Sequence, residues 1–401
     1  MRFDKVFIPY GGYWSTPFCR WQGSFAHLHA LIFAADVARR ALQERGIAPQ
    51  VFGALHLGMT VPQRHSFYGA PWLAGLIGAV GITGPTINQA CATSARVLAS
   101  AALEIELGAQ PTVLTITCDR TSNGPHIYYP NPLGPGGKGE TEEWVWDNFH
   151  CDPFASNAMI ETAENVARAC GITRAEQDAL TLLRYQQYQE ALKDTAAFQR
   201  RFMITPIEVR DPAKRTVIAI VTGDEGVFPT TAEGLARLKP VLEGGTVTYG
   251  GQTHPADGNC GLIVTTRERA CELSREPGIV IQVLSYGQAR VPRGYMAQAA
   301  VPAAQRALMA AGLNLRDIHA VKTHNPFAVN DIYFSRETGI PLEAMNNYGS
   351  SLIWGHPQGP TGMRLMIELI EELVLQGGGY GLVTGCAAGD TGAAVVIQVA
   401  T

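Results

Sequence analysis

The chain has 401 residues, 46% hydrophobic and 16% charged, enough to bury the core of two or three domains or of one large duplicated unit. Its net charge of −4 leaves no electrostatic footprint for nucleic acid, and no apolar run approaches the ~20 residues of a bilayer span. Eight cysteines stand singly with no CxxC pair, so zinc, thioredoxin-type and disulfide-framework readings lack support; reduced thiols of a cytoplasmic protein fit better.

Helix and strand patterns alternate along the chain, the signature of an α/β fold. The N-terminus, MRFDKVFIPYGGYW, enters a strand and lacks the long apolar run of a signal peptide. FAHLHALIFAADVARRALQERGI reads as an amphipathic helix, followed by the short strand VFGALHLG. NQACATSARVLASAALEIELG then gives a loop and a helix beginning near Thr93, which leads into the apolar strand PTVLTITC.

From about Asp119 to Arg267 the pattern changes. The stretch TSNGPHIYYPNPLGPGGKGETEEWVWDNFHCDPF holds too many turn formers for a long regular element. Two helical stretches follow, AMIETAENVARACG and ITRAEQDALTLLRYQQYQEALKD, the second with Thr173 as N-cap and Glu176 three residues on. The basic pairs Arg200-Arg201 and Lys214-Arg215 read as solvated surface. The region reads as an insertion covering the core, and long insertions commonly build substrate sites.

After the insertion the first pattern returns. AAVPAAQRALMAAGL is a helix, DIHAVKTHN a strand, GHPQGPTGMRLMIELIEELVLQGG a constrained loop with a helix starting near Thr361, and YGLVTGC a strand. Each half therefore reads helix, strand, special loop, helix, strand. A tandem duplication places the two special loops in equivalent positions about a pseudo-twofold axis. The expected division is 1–118 for the first part of the N-terminal half, 119–240 for the inserted cover, 241–270 for the end of that half and 271–401 for the C-terminal half.

Cys91 sits in the first special loop, where a helix N-terminus lowers a thiol's pKa. The alternative for a lone thiol is a small buried hydrophobe. His356 occupies the second special loop, Cys386 follows the strand GLVTG among small residues, and His324 and Asn325 end a strand, where ligands of α/β sheets commonly bind. Each has a structural reading as well: satisfied histidine, buried thiol, loop cap. Cys19, Cys118, Cys151, Cys170, Cys260 and Cys271 are expected to pack. The duplication brings the four candidates to one end of the two sheets, and a Cys–His pair with a second thiol is a kit for acyl transfer. No GxSxG elbow or GxxxxGK[ST] loop is present, and no GxGxxG opens a helix after a strand.

At these loops the sequence resembles the thiolases, along nearly its whole length. NQACATSARVLASAALEI is similar to their nucleophile loop, TAENVARACGITRAEQDAL to their covering segment, and TTAEGLARLKP with GTVTYGGQTHPADGNCG to the stretch entering their coenzyme A loop. GHPQGPTGMRL resembles the histidine motif and GCAAGDTGAAVV the second-cysteine motif. The resemblance implies a five-layered αβαβα fold of two duplicated halves with an inserted covering domain. It also implies an acyltransferase that cleaves a 3-oxoacyl-CoA with coenzyme A as co-substrate and no metal in this chain. Cys91 is then the nucleophile, His356 its base and Cys386 the second acid–base. The oxyanions are held by the N–H groups of Cys91 and Ala388 and by His324 with His356, and Gly251 and Thr253 lie on the coenzyme A side.

Four departures stand out. His324-Asn325-Pro326-Phe327 replaces Asn-Glu-Ala-Phe, Cys386-Ala387-Ala388 replaces C-x-G, Thr253 through Gly258 replaces Ser-Gly-Ile-Asn-Asp-Gly, and Ala158 stands where a histidine often precedes the covering helix. Tyr128, Tyr129, Trp144, Trp146, Phe149 and Phe154 either pack the cover or line an acyl pocket. In the second case the resemblance points to a bulky or aromatic substrate such as benzoylsuccinyl-CoA, and to thiolases that act with a small zinc-ribbon/OB-fold subunit. The resemblance also implies a homodimer or larger. The alternatives are a ketosynthase-like condensing enzyme, which generally carries a second histidine rather than Cys386, and a non-catalytic thiolase-fold binding subunit.

Overall fold

Ala-rich amphipathic segments and apolar, β-branched runs sort into two strand sets in the computed structural model, which describes residues 1–401. The N-terminal half supplies β1 (Phe7–Ile8), β2 (Tyr13–Ser15), α1 (Ala30–Glu44), β3 (Ala54–Gly58), α2 (Gly69–Ile77), α3 (Thr93–Glu106) and β4 (Thr112–Arg120). The insertion contributes α4 (Met159–Cys170) and α5 (Arg174–Ala191), and β5 (Ala256–Thr265) returns to the first set. The C-terminal half supplies β6 (Val280–Arg290), α6 (Ala300–Ala311), β7 (Ile318–His324), α7 (Ala328–Thr338), α8 (Gln358–Leu375), β8 (Gly378–Ala387) and β9 (Thr391–Ala400).

Both sets have one topology. β2 pairs antiparallel with β5, β5 antiparallel with β4, and β4 parallel with β3. β6, β9, β8 and β7 repeat that order and those directions. The duplication is therefore visible in the backbone, with α3 and α8 in equivalent places before β4 and β8. The sets are not separate sheets. The first strand breaks at a turn closed by Gly12 N–H on Pro9 C=O, with Gly11 at φ 77°. Its detached piece β1 pairs with both β5 and β6, making one continuous 11-stranded sheet.

α3 and α8 pack on each other and on both strand sets, α1 and α2 lie outside the first set, and α6 lies outside the second. The layers run α–β–α–β–α. A helix between two sheets must be apolar nearly all round, and 14 of the 18 residues of α8 are buried. The helix begins at Gln358, three residues before the expected start, because Pro360 falls in the first turn, where no N–H is needed.

Four charged side chains on α8 are buried with it. Arg364 makes a two-pronged contact with Asp224 of the insertion (2.6 and 2.8 Å) and lies over the Trp354 ring at 4.3 Å. Glu371 accepts from Arg201 at 2.6 Å, so one of the arginines expected at the surface instead anchors the insertion to the core. Glu372 pairs with Lys322 at 2.7 Å. In the insertion Thr173 caps α5 with Glu176 in a reciprocal capping box, as the sequence predicts. Arg184 of α5 pairs with Asp331 of α7 at 2.9 Å, both buried. All eight cysteines are free; Cys19, Cys118 and Cys260 pack, whereas Cys151 and Cys271 are exposed, against expectation. No helix is long and apolar enough to cross a membrane.

Removing one partner of a buried charge pair strands the other. Arg364→Met should lower unfolding free energy by about 3–5 kcal/mol in chemical denaturation. A midpoint equal to that of the parent chain would show that Asp224 does not depend on Arg364.

Candidate active site

Both special loops are wound tightly by their own side chains. Before α3, Ala90 sits at φ 45°, a left-handed conformation that costs roughly 1–2 kcal/mol for a residue with a Cβ. Thr93 compensates: its hydroxyl accepts the Gln89 N–H (2.9 Å) and donates to the Ala90 carbonyl (2.7 Å). Cys91 is thereby turned toward α8. The His356 loop is held from the N-terminal half: the Ser94 hydroxyl donates to the Gly359 carbonyl, and the Asp119 carboxylate at the end of β4 accepts the Gly359 N–H at 2.6 Å. Asp119 also accepts from the Thr60 hydroxyl and the Thr60 and Val61 amides (2.7–3.0 Å).

The result is a contact between the halves: His356 Nε2 lies 3.2 Å from Cys91 Sγ. The proton on His356 can be placed by following hydrogens. The Thr361 hydroxyl donates its single hydrogen to the Pro357 carbonyl (2.7 Å), so it accepts from His356 Nδ1 at 2.6 Å. Nδ1 carries the proton, and the Nε2 lone pair faces the thiol. The His356 backbone N–H donates to the His254 carbonyl (2.9 Å), which fixes the loop from the third side.

Burial makes this a neutral pair. It pushes the Cys91 thiol up to about 11, although the main-chain N–H groups of Ala388 and of Cys91 itself face the sulfur and pull the other way. The helix-terminus effect expected from the sequence to favour the thiolate is outweighed by desolvation. Burial, with His324 alongside, pushes His356 well below the usual histidine range.

His324 ends β7 with its ring tilted against that of His356, centroids 4.0 Å apart. Burial pushes it down to about 3, so it too is neutral. Its Nδ1 lies 3.0 Å from the Ser351 hydroxyl, and its Nε2 is buried without a partner. Ser351 Oγ is equally 3.0 Å from Asn325 Oδ1, which already accepts the Leu352 N–H at 3.0 Å. The direction of one hydroxyl hydrogen thus decides whether His324 Nε2 is a donor or an acceptor.

Cys386 lies inside β8 rather than beyond it, and its Sγ accepts from Asn330 Nδ2 of α7 at 3.2 Å. Burial, then the neighbouring Cys91, pushes this thiol well up. A cavity of about 20 Å³ lies between Cys91, His324, Leu365, Met366, Val383 and Cys386. None of the six cover aromatics lines it. Trp144 donates to the Thr60 carbonyl (2.9 Å), Trp146 packs edge-on to Trp21 and Phe149, and Tyr128, Tyr129 and Phe154 are exposed.

Gly251 and Thr253 are occupied internally. The Thr253 hydroxyl donates to the Ser351 carbonyl (2.5 Å) and its amide to Pro326 (2.8 Å), and the Gly251 carbonyl accepts the Ala328 N–H (2.8 Å). The loop expected to meet coenzyme A therefore braces the His324 segment, with the threonine hydroxyl already committed.

Cys91, His356, His324, Cys386 and Ala388 converge as the sequence analysis expected. Thr361, Ser351, Asn330 and Asp119, which orient them, were not recognised as orienting groups. Of these, Thr361 alone had a sequence signal, as a hydroxyl inside the histidine motif.

Comparison with known proteins gives one family. The model described as Thiolase, N-terminal domain matches residues 13–268, and Thiolase, C-terminal domain matches 278–399. The 3-ketoacyl-CoA thiolase of Bacillus subtilis (strain 168) is 30% identical over 391 residues, covering 94% of this chain and 95% of that protein. The acetyl-CoA acetyltransferase of Escherichia coli (strain K12) is 28% identical over 391 residues, covering 94% and 95%. Among solved structures, the Bacillus anthracis acetyl-CoA acetyltransferase superposes with a TM-score of 0.90 at 27% identity, covering 99% of both chains. Human mitochondrial 3-ketoacyl-CoA thiolase in complex with CoA superposes with a TM-score of 0.87 at 27% identity, covering 98% of both.

A thiol held at about 11 reacts through a thiolate that forms only at high pH. The rate of Cys91 alkylation by iodoacetamide, followed by peptide mass mapping, should climb through pH 9 and beyond without a plateau near neutrality. A plateau reached below pH 8 would mean that the thiolate already exists at rest.

Proposed function

This chain belongs to the thiolase family of acyltransferases, and from that premise we propose that it cleaves a 3-oxoacyl-CoA with coenzyme A through an acyl-enzyme on Cys91. The observation that carries the reading is the 3.2 Å contact between Cys91 Sγ and a His356 Nε2 whose lone pair is fixed by Thr361.

As the thiol attacks, Nε2 takes its proton and the sulfur bonds to the 3-keto carbon. Two neutral groups become an ion pair only while the new bond forms, and the N–H groups of Cys91 and Ala388, which face Sγ, receive the developing oxyanion. Cleavage between C2 and C3 then leaves the acyl group on Cys91, and the bonding electrons go to the enolate of the departing thioester. That enolate oxygen meets Nε2–H of His356, now protonated, and Nε2–H of His324 when Ser351 donates to Nδ1. Ser351 is free to do so because Asn325 Oδ1 retains the Leu352 amide.

The Cys386 thiol protonates C2 and becomes a thiolate. Coenzyme A gives its thiol proton to that thiolate and attacks the acyl carbon, and Cys91 leaves and recovers its proton from His356. Two thiols are required because one is occupied by the acyl group while protons still have to move. Gly251 and Thr253 contribute by shaping the wall beside the coenzyme A path, since their polar groups are occupied.

For the acyl group, the finer reading is a bulky or aromatic 3-oxoacyl-CoA such as benzoylsuccinyl-CoA. Supporting it are His324 in place of the usual asparagine and Phe154, which lies 4.8 and 3.7 Å from the Arg290 and Arg293 guanidiniums beside the turn after Ala388. Assembly as a homodimer or larger is supported by the short edge strand Thr86–Ile87 and by exposed Phe67, Tyr68 and Val80 on nearby segments. The same substrate reading brings with it a small zinc-ribbon/OB-fold subunit; turnover of an aromatic substrate by this chain alone would remove the need for one.

Incubation with coenzyme A and a series of 3-oxoacyl-CoA thioesters, with product analysis by mass spectrometry, tests the proposal. The expected outcome is two shorter acyl-CoA products, with kcat/KM at least about tenfold higher for an aromatic acyl group than for acetoacetyl-CoA, a discrimination equal to about 1.4 kcal/mol. Products from acetoacetyl-CoA alone would refute the aromatic reading, and no thiolysis of any thioester would refute the function.

A further inference from the structure

We infer that Cys91, His324 and His356 also form a binding site for a soft divalent cation, Zn²⁺ or Cd²⁺, which blocks the nucleophile reversibly. The three side chains offer one sulfur and two imidazole nitrogens, and their ligand atoms all lie within 4.8 Å of one another. That donor set suits Zn²⁺ and its soft congeners and is poor for Mg²⁺ or Ca²⁺. A tetrahedral Zn²⁺ with Zn–N near 2.0–2.1 Å and Zn–S near 2.3 Å places its ligands about 3.3–3.6 Å apart. The Cys91–His356 pair, at 3.2 Å, already approximates that spacing. The widest separation needs to close by only roughly 1 Å, within the reach of small side-chain torsions.

A second, independent observation points the same way. His324 Nε2 is buried, has no hydrogen-bond partner and borders the cavity beside Cys91. Metal-bound histidines almost always donate their other ring N–H to an acceptor that fixes the ring, and both rings here have one. His356 Nδ1 is on the Thr361 hydroxyl at 2.6 Å, and His324 Nδ1 is on the Ser351 hydroxyl at 3.0 Å. When Ser351 donates to Asn325 Oδ1, at 3.0 Å, it accepts from His324 Nδ1–H, and Nε2 then presents a lone pair. The hydroxyl orientation that makes His324 an oxyanion donor is thus the opposite of the one that makes it a metal ligand.

The cavity of about 20 Å³ beside the three donors is lined by Cys91, His324 and Cys386 and not by His356. It has room for a water, or for Cys386, to complete four ligands around an ion seated between Cys91 and the two imidazoles. Binding changes no oxidation state: the metal–sulfur bond forms as the Cys91 thiol proton passes to solvent. Thiolysis itself requires no metal, so the ion would act as an inhibitor. No sequence spacing announces the site, because its ligands come from positions 91, 324 and 356 in two halves of the fold.

The test uses the full-length chain, reduced with a phosphine, with and without added ZnCl₂. Bound zinc is measured by elemental mass spectrometry after removal of free metal, and iodoacetamide alkylation is followed at the Cys91 peptide. The expected result is one zinc per chain and Cys91 alkylation slowed at least about tenfold, restored by a chelator. A Cys151→Ser/Cys271→Ser variant, lacking the exposed thiols, should bind zinc equally, and His324→Asn should weaken binding at least about tenfold. Cys91 alkylation indifferent to zinc, or His324→Asn protected as well as the parent chain, would overturn the inference. Both readouts follow the thiol and the metal rather than turnover, so they stand or fall separately from the thiolase reaction.

Discussion

Two helix N-termini, one from each half of a duplicated chain, are pressed together at the centre of this molecule, and the Cys91–His356 pair depends on that contact. Burying two positive dipole ends side by side is unfavourable, and the Asp119 carboxylate offsets it. Asp119 takes the Gly359 amide at the start of α8 and, with its remaining lone pairs, the Thr60 and Val61 segment of the first half. The Ser94 hydroxyl makes a second tie across the seam. With the two loops locked in this way, Cys91 and His356 meet at hydrogen-bond distance although 265 positions separate them in sequence.

Burial at this seam also sets the electrostatics. Thiol and imidazoles are all held in their neutral forms, Cys91 and Cys386 by upward shifts and His324 and His356 by downward ones. These four groups carry no charge until substrate supplies a place for it, which suits a reaction whose intermediates carry oxyanions. Specific direction comes from neutral hydrogen-bond partners rather than from counter-ions: Thr361 for His356, Ser351 for His324 and Asn330 for Cys386. Charged groups are used at a distance, where Arg364, Glu371 and Glu372 on α8 tie the central helix to the insertion and to β7.

The two halves and the meeting of Cys91, His324, His356 and Cys386 were legible in the sequence because periodicity and motif order are local properties, whereas the layer order followed from the family resemblance. The repeated helix–strand pattern predicts the correspondence of α1–β3–α3–β4 with α6–β7–α8–β8, and the loops around Cys91 and His356 carry their own glycines, prolines and threonines. What stayed hidden depends on distant partners. Ser351 matters because β7 brings His324 to it, Asn330 because α7 faces β8, and Arg201 because Glu371 lies beneath it. The upward shift of the Cys91 thiol was hidden for the same reason: the helix terminus is visible in the sequence, but the burial that outweighs it is a property of the folded chain. The joining of the two strand sets through β1 likewise follows from a turn at Pro9–Gly12 whose consequence is purely three-dimensional. For the cover aromatics the sequence left packing and pocket-lining open, and none of the six walls the cavity at Cys91.

The central claim is that Cys91, and no other of the eight thiols, becomes acylated with His356 as its base. Rapid quenching of the protein with a 3-oxoacyl-CoA in the absence of free coenzyme A, followed by peptide mass mapping, tests it most directly. The account predicts one acyl group per chain on the Cys91 peptide, lost on adding coenzyme A, absent from Cys91→Ala and formed far more slowly in His356→Ala. An acyl group on Cys386, or one that persists in Cys91→Ala, would contradict it.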